Sequence, residues 1–151
     1  MLKFNELMAK HYRQLNLVNC ELNSELDTIV RMGLVEVGNL IFLNKLYQND
    51  TNATADDFID STGYECFVNS LHVDDYVHDN YLQQAIIFAK HIFKEFRLQE
   101  VKMPLVCIMS LDEFGLTIKF HLSRGNESFL KEDLNGYEEA ILVVDSNEDS
   151  W

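Results

Sequence analysis

The residues with the clearest chemical potential are carboxylates that have no basic neighbours in sequence. Between Lys45 and Lys90 the chain contains no Lys or Arg, but it contains eight acidic residues: Asp50, Asp56, Asp57, Asp60, Glu65, Asp74, Asp75 and Asp79. Carboxylates accept strong, charge-assisted hydrogen bonds from Arg and Lys. If folding brings these groups to one surface, that surface steers a basic partner toward the protein.

We therefore predict a partner-binding surface in this stretch. It comprises Asp56, Asp57, Asp60, Tyr64, Glu65, Asp74, Asp75, Tyr76 and Asp79. The two tyrosines suit an interface because Tyr combines apolar area with a polar tip. The alternative for both tyrosines is a half-buried position at the edge of the domain. A second stretch, Gly125 to Trp151, sets eight acidic residues against Lys131.

The densest cluster of ionisable groups runs from His72 to Asp79. On a helix, Asp75 and Asp79 would share a face with His72, and Asp74 would lie one turn from His78. Imidazole and carboxylate groups that converge can bind a transition metal. A metal-dependent enzyme or sensor that uses His72, Asp75, His78 and Asp79 is therefore one alternative. The simpler interpretation is that Asp75 or Asp79 caps the following helix.

Nucleophilic catalysis would require a Cys beside a base, and Cys66 with His72 or Cys107 with His121 are the available pairs. Neither pair is flanked by a nucleophile signature, and the sequence contains no HExxH, GxSxG or phosphate-binding Gly-rich motif. We expect Cys107 to be buried and inert within its apolar run, and His121 to be exposed. The prediction is a protein without catalytic residues, metal or cofactor.

The composition indicates one folded acidic domain. The chain has 151 residues, of which 47% are hydrophobic, and a formal net charge of −13. This charge disfavours binding to nucleic acid or to an anionic membrane and favours a basic protein, although it also promotes solubility by itself. The N-terminus lacks an apolar signal segment, and three widely spaced cysteines suit reduced thiols. We expect a cytoplasmic protein.

Helical spacing of apolar residues marks three segments. The first runs from Phe4 to Leu15, the second from Leu26 to Leu46, and the third, the most regular, from Leu82 to Phe96. Ser24 and Asp27 resemble a capping box at the start of the second segment.

The second of these segments has an alternative. Gly33 and Gly38 weaken a helix interior, so the run from Val35 to Leu43 is alternatively a strand. Asn49 to Thr54 is rich in Asn and Thr and is predicted to be an exposed loop. Asp56 to Val77 has no clear period, and its Cys66–Val73 portion is a short strand or the start of a helix.

Strands are predicted after Pro104. Leu105–Met109 is a compact apolar run, and Asp112–Gly115 supplies turn residues. Leu116–Leu122 then alternates with period two, which places Leu116, Ile118, Phe120 and Leu122 on the core face. Ala140–Val144 is a further buried strand.

This order of elements predicts the α+β class. We expect a small antiparallel sheet, made of the C-terminal hairpin and a further strand, packed against the N-terminal and central helices. Phe93 and Phe96 should pack over Ile118 and Phe120. The whole chain, 1–151, is expected to form one domain, with 146–151 as a frayed acidic tail.

Two segments resemble a known group of proteins. Thr62–Asn69 and Tyr137–Asp145, in a small acidic α+β chain, resemble segments of immunity proteins from bacterial contact-dependent inhibition and other polymorphic toxin systems. The resemblance implies tight binding to a co-encoded toxin domain, commonly a basic nuclease, so that its active site is covered.

The sequence therefore predicts a non-enzymatic inhibitor of a basic toxin domain. The acidic surface would occupy the Lys and Arg groups with which a nuclease holds substrate phosphates. An acidic regulatory adaptor is a further alternative, because the same surface would serve any basic partner.

Overall fold

The computed structural model describes residues 1–49 and 52–151. In this part of the chain, five α-helices accompany a five-stranded antiparallel sheet and a separate two-stranded hairpin, which confirms the predicted α+β class. The helices are Glu6–Arg13 (α1), Ser24–Arg31 (α2), Asn44–Asn49 (α3), Ser61–Val68 (α4) and Tyr81–Phe96 (α5). The strands are Leu2–Phe4 (β1), Leu34–Val37 (β2), Leu40–Leu43 (β3), Ser70–His72 (β4), Leu105–Leu111 (β5), Leu116–Leu122 (β6) and Ala140–Asp145 (β7).

The large sheet has the order β1-β7-β5-β6-β4, and β2 pairs with β3 separately. The predicted hairpin of β5 and β6 is present, with Leu105 opposite Leu122 and Leu111 opposite Leu116. β7 pairs with the other side of β5 and brings Ala140 opposite Leu111. Both chain halves therefore contribute to one sheet, because β1 and β4 form its edges.

α5 covers one face of this sheet. The four core-facing residues predicted on β6 are all at most 2% exposed, as expected. The Phe93 ring lies 6.3 Å from the Phe120 ring in an edge-on arrangement, and Phe88 approaches the same ring at 6.0 Å. Phe96 is 4% exposed and belongs to the same core. The predicted packing of α5 against the hairpin is confirmed.

The helix predicted from Leu26 to Leu46 is wrong beyond Arg31, and the alternative of a strand over Val35–Leu43 is right in type only, because the segment forms two antiparallel strands, β2 and β3. α2 ends at Arg31, and Gly33 and Gly38 have φ values of 71° and 60°. This left-handed conformation suits Gly and interrupts a right-handed helix. The predicted capping box at Ser24 is also wrong, because Asn23 accepts the capping hydrogen bonds from the N–H groups of Glu25 and Leu26.

The stretch from Asp56 to Val77, which had no clear period, forms α4 and then β4. Cys66 to Val68 end α4, and Ser70–His72 pair antiparallel with Thr117–Lys119 of β6. The loop predicted over Asn49–Thr54 includes Asp50 and Thr51, which lie outside the described residues.

His121 is buried, which corrects its predicted exposure. It is 8% exposed on the face of the sheet opposite α5. The segment that follows β6 crosses this outer face and is attached to α1 by hydrogen bonds from Asn5 Nδ2 to the carbonyls of Leu134 (3.1 Å) and Glu139 (2.8 Å). The alternation along β6 correctly predicted that His121 lies on the face opposite the core helix. It could not predict that another segment of the chain covers this face.

The C-terminal residues 146–151, which were expected to form a frayed tail, contact the rest of the domain at Ser146 and Trp151. The carbonyl of Ser146 accepts hydrogen bonds from Arg97 Nε (3.1 Å) and Nη2 (2.7 Å). The Trp151 ring lies 6.0 Å from that of Phe93, and Lys90 donates to the Trp151 carbonyl. Burial of the large Trp151 ring against α5 stabilises the packed position of this acidic segment.

A membrane-spanning helix is not found among the described residues: none of their helices has both the length and the apolar character that crossing a bilayer requires.

Candidate partner-binding surface

The structure distributes the predicted partner-binding residues over three places. Asp56, Asp57 and Asp60 lie before α4, Tyr64 and Glu65 lie inside the protein, and Asp74, Asp75, Tyr76 and Asp79 lie between β4 and α5. The single continuous surface expected from the sequence is therefore not formed by all nine residues. Burial and hydrogen bonding show which of these carboxylates stabilise the fold and which remain available to bind a partner.

Glu65 is fully buried, which corrects its predicted place on the surface. Its carboxylate accepts hydrogen bonds from the backbone N–H groups of Ile41 (2.8 Å) and Leu122 (3.0 Å). Arg124 adds a two-pronged ion pair, with Nη1 2.6 Å from Oε1 and Nη2 3.1 Å from Oε2. A charge removed from water must be paired in this way, so Glu65 joins elements of this protein instead of reaching a partner.

Asn69 extends this polar group. It is 1% exposed, accepts a hydrogen bond from the Leu43 N–H (2.8 Å), and donates to the carbonyls of Ile41 (2.9 Å) and Phe120 (3.2 Å). We call Glu65, Asn69 and Arg124 the buried junction. It fastens the β2–β3 hairpin to α4 and to β6.

Tyr64 is also an interior residue, at 8% exposed. Its ring stacks on Phe58 at 5.0 Å and tilts against Phe42 at 5.1 Å, while its hydroxyl donates to the Ala53 carbonyl at 3.3 Å. Tyr64 is thus more deeply buried than the half-buried alternative considered for it, and it does not act as a surface anchor.

The carboxylates before α4 mostly serve local structure. Asp60 caps α4 by accepting a hydrogen bond from the Gly63 N–H at 2.7 Å, and Asp57 accepts one from the Thr54 N–H at 2.8 Å. Asp56 is exposed. Such backbone bonds satisfy part of the acceptor capacity that a basic partner would need.

Asp74 fixes the turn between β5 and β6. Its Oδ1 accepts a hydrogen bond from the Leu116 N–H at 3.0 Å. Gly115 lies against this carboxylate with a φ of 151°, and a Cβ at that position would overlap Asp74. Glycine is therefore required at this turn both for its conformation and for the close approach. Asp75, one residue further, is exposed beside this turn.

Tyr76 and Asp79 complete the third group. Tyr76 is half-buried. The pKa of its hydroxyl is raised, mainly by this burial and to a smaller extent by the negative charges of Asp75 and Glu25. Asp79 is exposed. The expectation that Asp75 or Asp79 caps α5 is wrong: Asn80 occupies the capping position with φ 54° and makes no side-chain capping bond.

The turn between β5 and β6 also presents residues that the sequence prediction did not include. Asp112 Oδ1 accepts hydrogen bonds from the N–H groups of Phe114 (2.8 Å) and Gly115 (3.2 Å), which fixes the turn. Phe114 is 81% exposed at its tip. The pairing of Leu111 with Ala140 brings the end of the preceding segment, Glu138 and Glu139, alongside.

These residues line one groove of about 650 Å³ at the turn end of the sheet. We call this region the turn-end surface. It consists of the groove residues Leu7, Asp112, Glu113, Phe114, Glu138 and Glu139 and of Asp75, which does not line the groove but is exposed next to Asp74 at the β6 side of the turn. Within the described residues, none of its five carboxylates forms an ion pair with Lys or Arg. It therefore combines an exposed aromatic side chain with carboxylates that form no ion pair with Lys or Arg in the described part of the chain, and the exposed His11 lines the same groove.

The chain matches the family model described as "Uncharacterized protein PM0498 family" over residues 3–151. The chain belongs to this family. The match spans both the buried junction and the turn-end surface of this PM0498 family member. A relative from Pasteurella multocida (strain Pm70), described as "Uncharacterized protein PM0498", is 29% identical over 160 residues, which cover 95% of this chain and 98% of the relative. No solved structure matches.

The histidine cluster of this family member does not converge. His72 Nδ1 lies 3.3 Å from Thr117 Oγ1 and 4.0 Å from Asp74 Oδ1. In residues 1–49 and 52–151 no group of three or more His, Cys, Asp or Glu side chains is arranged to hold a metal ion. His78 and Asp79 are exposed in the segment before α5.

The two candidate thiols are poor nucleophiles. Cys66 is 1% exposed, and burial raises its pKa to about 12. Cys107 is fully buried as predicted, and burial raises its pKa well above the usual range. Both thiols remain protonated at neutral pH, whereas the thiolate is the reactive form.

Proposed function

We propose that this protein is a non-enzymatic immunity-type inhibitor that binds a basic toxin domain through the turn-end surface. The observation that supports it is the exposed Phe114 ring in a groove lined by four carboxylates, with Asp75 exposed beside the same turn; none of these five groups pairs with Lys or Arg within the described residues. Aromatic side chains supply much of the energy at interfaces, and surrounding charges select the sign of the partner.

The turn-end surface is a better candidate than the residues before α4. Asp57 and Asp60 already accept backbone hydrogen bonds. In the turn-end surface Asp112 does so as well, but Glu138 and Glu139 have no side-chain hydrogen bond within the described residues. The fixed turn around Phe114 also lowers the entropy lost when a partner binds. The proposed contact therefore keeps Asp75 from the predicted set and replaces the α4 residues by those of the turn.

The proposed mechanism is steric and electrostatic. A nuclease holds substrate phosphates with Lys and Arg, and the turn-end carboxylates would occupy those groups while Phe114 packs between them. The net charge of −13 would speed the encounter. We place this event in the cytoplasm, where an incoming toxin nuclease would meet its substrate.

The direct test is binding to the basic domain encoded by a neighbouring gene. We expect the wild-type protein to bind that domain and to protect cells that express it. Glu138→Lys with Glu139→Lys should weaken binding at least tenfold without loss of folding, because Glu138 is exposed, Glu139 is half-buried, and neither side chain makes a hydrogen bond within the described residues.

A matched variant separates local contact from net charge. Glu36→Lys with Asp56→Lys reverses two exposed carboxylates outside the turn-end surface and changes the net charge equally. This control should retain most of the affinity. Equal losses in the two double variants would contradict the assignment of the surface, and an absence of binding to any basic domain would overturn the proposed function.

A further inference from the structure

A second region with the properties of a binding site lies on the outer face of the sheet, opposite α5. A pocket of about 400 Å³ separates the strands from the segment that follows β6. Its floor includes Val106, Ile108 and Val143, and its cover includes Phe129 and Leu130. The lining is mixed: apolar side chains of the strands form the floor, and polar and charged side chains such as Ser123 and Ser128 lie among the others. Small-molecule sites commonly combine an apolar surface of this kind with a few polar groups that fix the orientation of the ligand. We call it the outer-face pocket.

His121 also lines this pocket, and it is 8% exposed. Its Nδ1 lies 2.8 Å from the Leu122 carbonyl oxygen. A carbonyl oxygen can only accept a hydrogen bond, so Nδ1 carries the proton, and Nε2 keeps its lone pair. Burial lowers the pKa of His121, which favours this neutral form.

Nε2 of His121 has no hydrogen-bond partner within residues 1–49 and 52–151. Nε2 is also accessible to solvent, because no fully buried side-chain nitrogen or oxygen of the described residues lacks a hydrogen-bond partner. The ring stands on the same face of β6 as the pocket, and Nδ1 turns toward the backbone. Nε2 therefore offers an acceptor to the pocket, beside the apolar strand residues Val106 and Ile108.

We propose that the outer-face pocket binds a small, neutral, largely apolar molecule that donates one O–H or N–H to His121 Nε2, as phenols and indoles can. The charged residues around the pocket, Lys3, Glu127, Lys131 and Glu132, include both signs, so they do not favour a charged ligand. The Glu127 carboxylate already accepts a hydrogen bond from the Thr62 N–H at 3.0 Å. This site is separate from the turn-end surface and does not depend on the proposed inhibitor function.

Phenol and anisole form a matched pair of probes, because they differ mainly in the O–H donor. Titration of the full protein with phenol should move the His121 Nε2 resonance in a saturable manner, observed by long-range nitrogen–proton NMR. Anisole should bind about tenfold more weakly, as expected for the loss of one hydrogen bond. Equal affinity for both probes, or the absence of a saturable shift with phenol, would overturn the proposal.

Variants locate the binding. His121→Leu should reduce phenol affinity about tenfold, whereas His91→Leu, which removes an exposed histidine on α5, should leave it unchanged. Thermal unfolding establishes that each variant is folded. If His121→Leu does not fold, the comparison of phenol with anisole in the wild-type protein still decides the proposal. Phenol shifts centred on residues outside the pocket would contradict it.

Discussion

The buried junction and the turn-end surface use the same carboxylate chemistry under opposite conditions. Glu65 is fully buried and receives four hydrogen bonds, two from backbone N–H groups and two from Arg124. Glu138 and Glu139 have no side-chain hydrogen bond within the described part of the chain. Removal from water makes a partner obligatory for Glu65, whereas water reaches the exposed Glu138 and the half-buried Glu139 and can satisfy their carboxylates. Location in the fold, more than acidic composition, decides which carboxylates remain available to another protein.

The largest expected effect comes from breaking the buried junction. Glu65→Gln removes the closer carboxylate partner of the Arg124 guanidinium, which is 10% exposed and keeps only the Glu127 carboxylate at 3.7 Å. Loss of one member of a buried ion pair costs about 3–5 kcal/mol of unfolding free energy. Urea denaturation measures this loss, and Glu139→Gln at the turn-end surface should change stability by less than about 0.5 kcal/mol. Equal stabilities of the two variants would mean that the junction does not hold the fold together.

The next effect concerns binding, and it should leave the fold intact. Phe114→Ala removes a side chain that is 81% exposed, so unfolding free energy should be nearly unchanged. If Phe114 is the central contact, affinity for the basic domain should fall by about 2–4 kcal/mol. Calorimetric titration of the partner with wild-type and variant protein checks this. An unchanged affinity would remove Phe114 from the interface.

A smaller effect tests whether the turn is held in one conformation. Gly115→Ala places a Cβ against the Asp74 carboxylate at a backbone conformation unfavourable for alanine. We expect a loss of about 1–3 kcal/mol in unfolding free energy. Gly125→Ala is the matched control, because its Cβ would meet nothing within 4 Å. A neutral Gly115→Ala variant would show that the turn adapts easily.

The smallest expected effect is the response to ionic strength, which should differ between the turn-end surface and the buried junction. Raising ionic strength from about 0.05 M to 0.5 M shortens the screening length and should slow partner association about tenfold or more, with little change in dissociation. The buried junction is shielded from ions, so it should not weaken over this range. Stopped-flow association and urea denaturation at both salt concentrations provide the comparison. An association rate indifferent to salt would contradict electrostatic steering.

The sequence predicted the parts of the fold that depend on regular spacing. α5 and the β5–β6 hairpin follow directly from periods of 3.6 and 2, and their buried faces are as expected. The prediction of a helix beyond Arg31 was wrong because it gave more weight to the apolar spacing than to the two glycines, Gly33 and Gly38. A positive φ at glycine ended the helix and started a hairpin instead.

The candidate site was less predictable, because its residues meet through tertiary contacts. Nothing in the sequence around Glu65 shows that Arg124, fifty-nine positions later, forms its ion pair. Phe114 had a local signal, a bulky apolar residue inside a polar turn, which was interpreted as turn sequence alone. Glu138 and Glu139 join it only through the pairing of β5 with β7.

The arrangement of strand lengths has a consequence for aggregation. The two edge strands, β1 and β4, have three residues each, while the interior strands β5 and β6 have seven. An edge strand exposes unpaired N–H and C=O groups that can recruit another chain, and short edges offer few of them. The longest apolar strands would be the most effective templates for fibre growth. In the folded domain β5 is paired on both sides over most of its length, and β6 is paired with β5 throughout and with β4 at Thr117–Lys119.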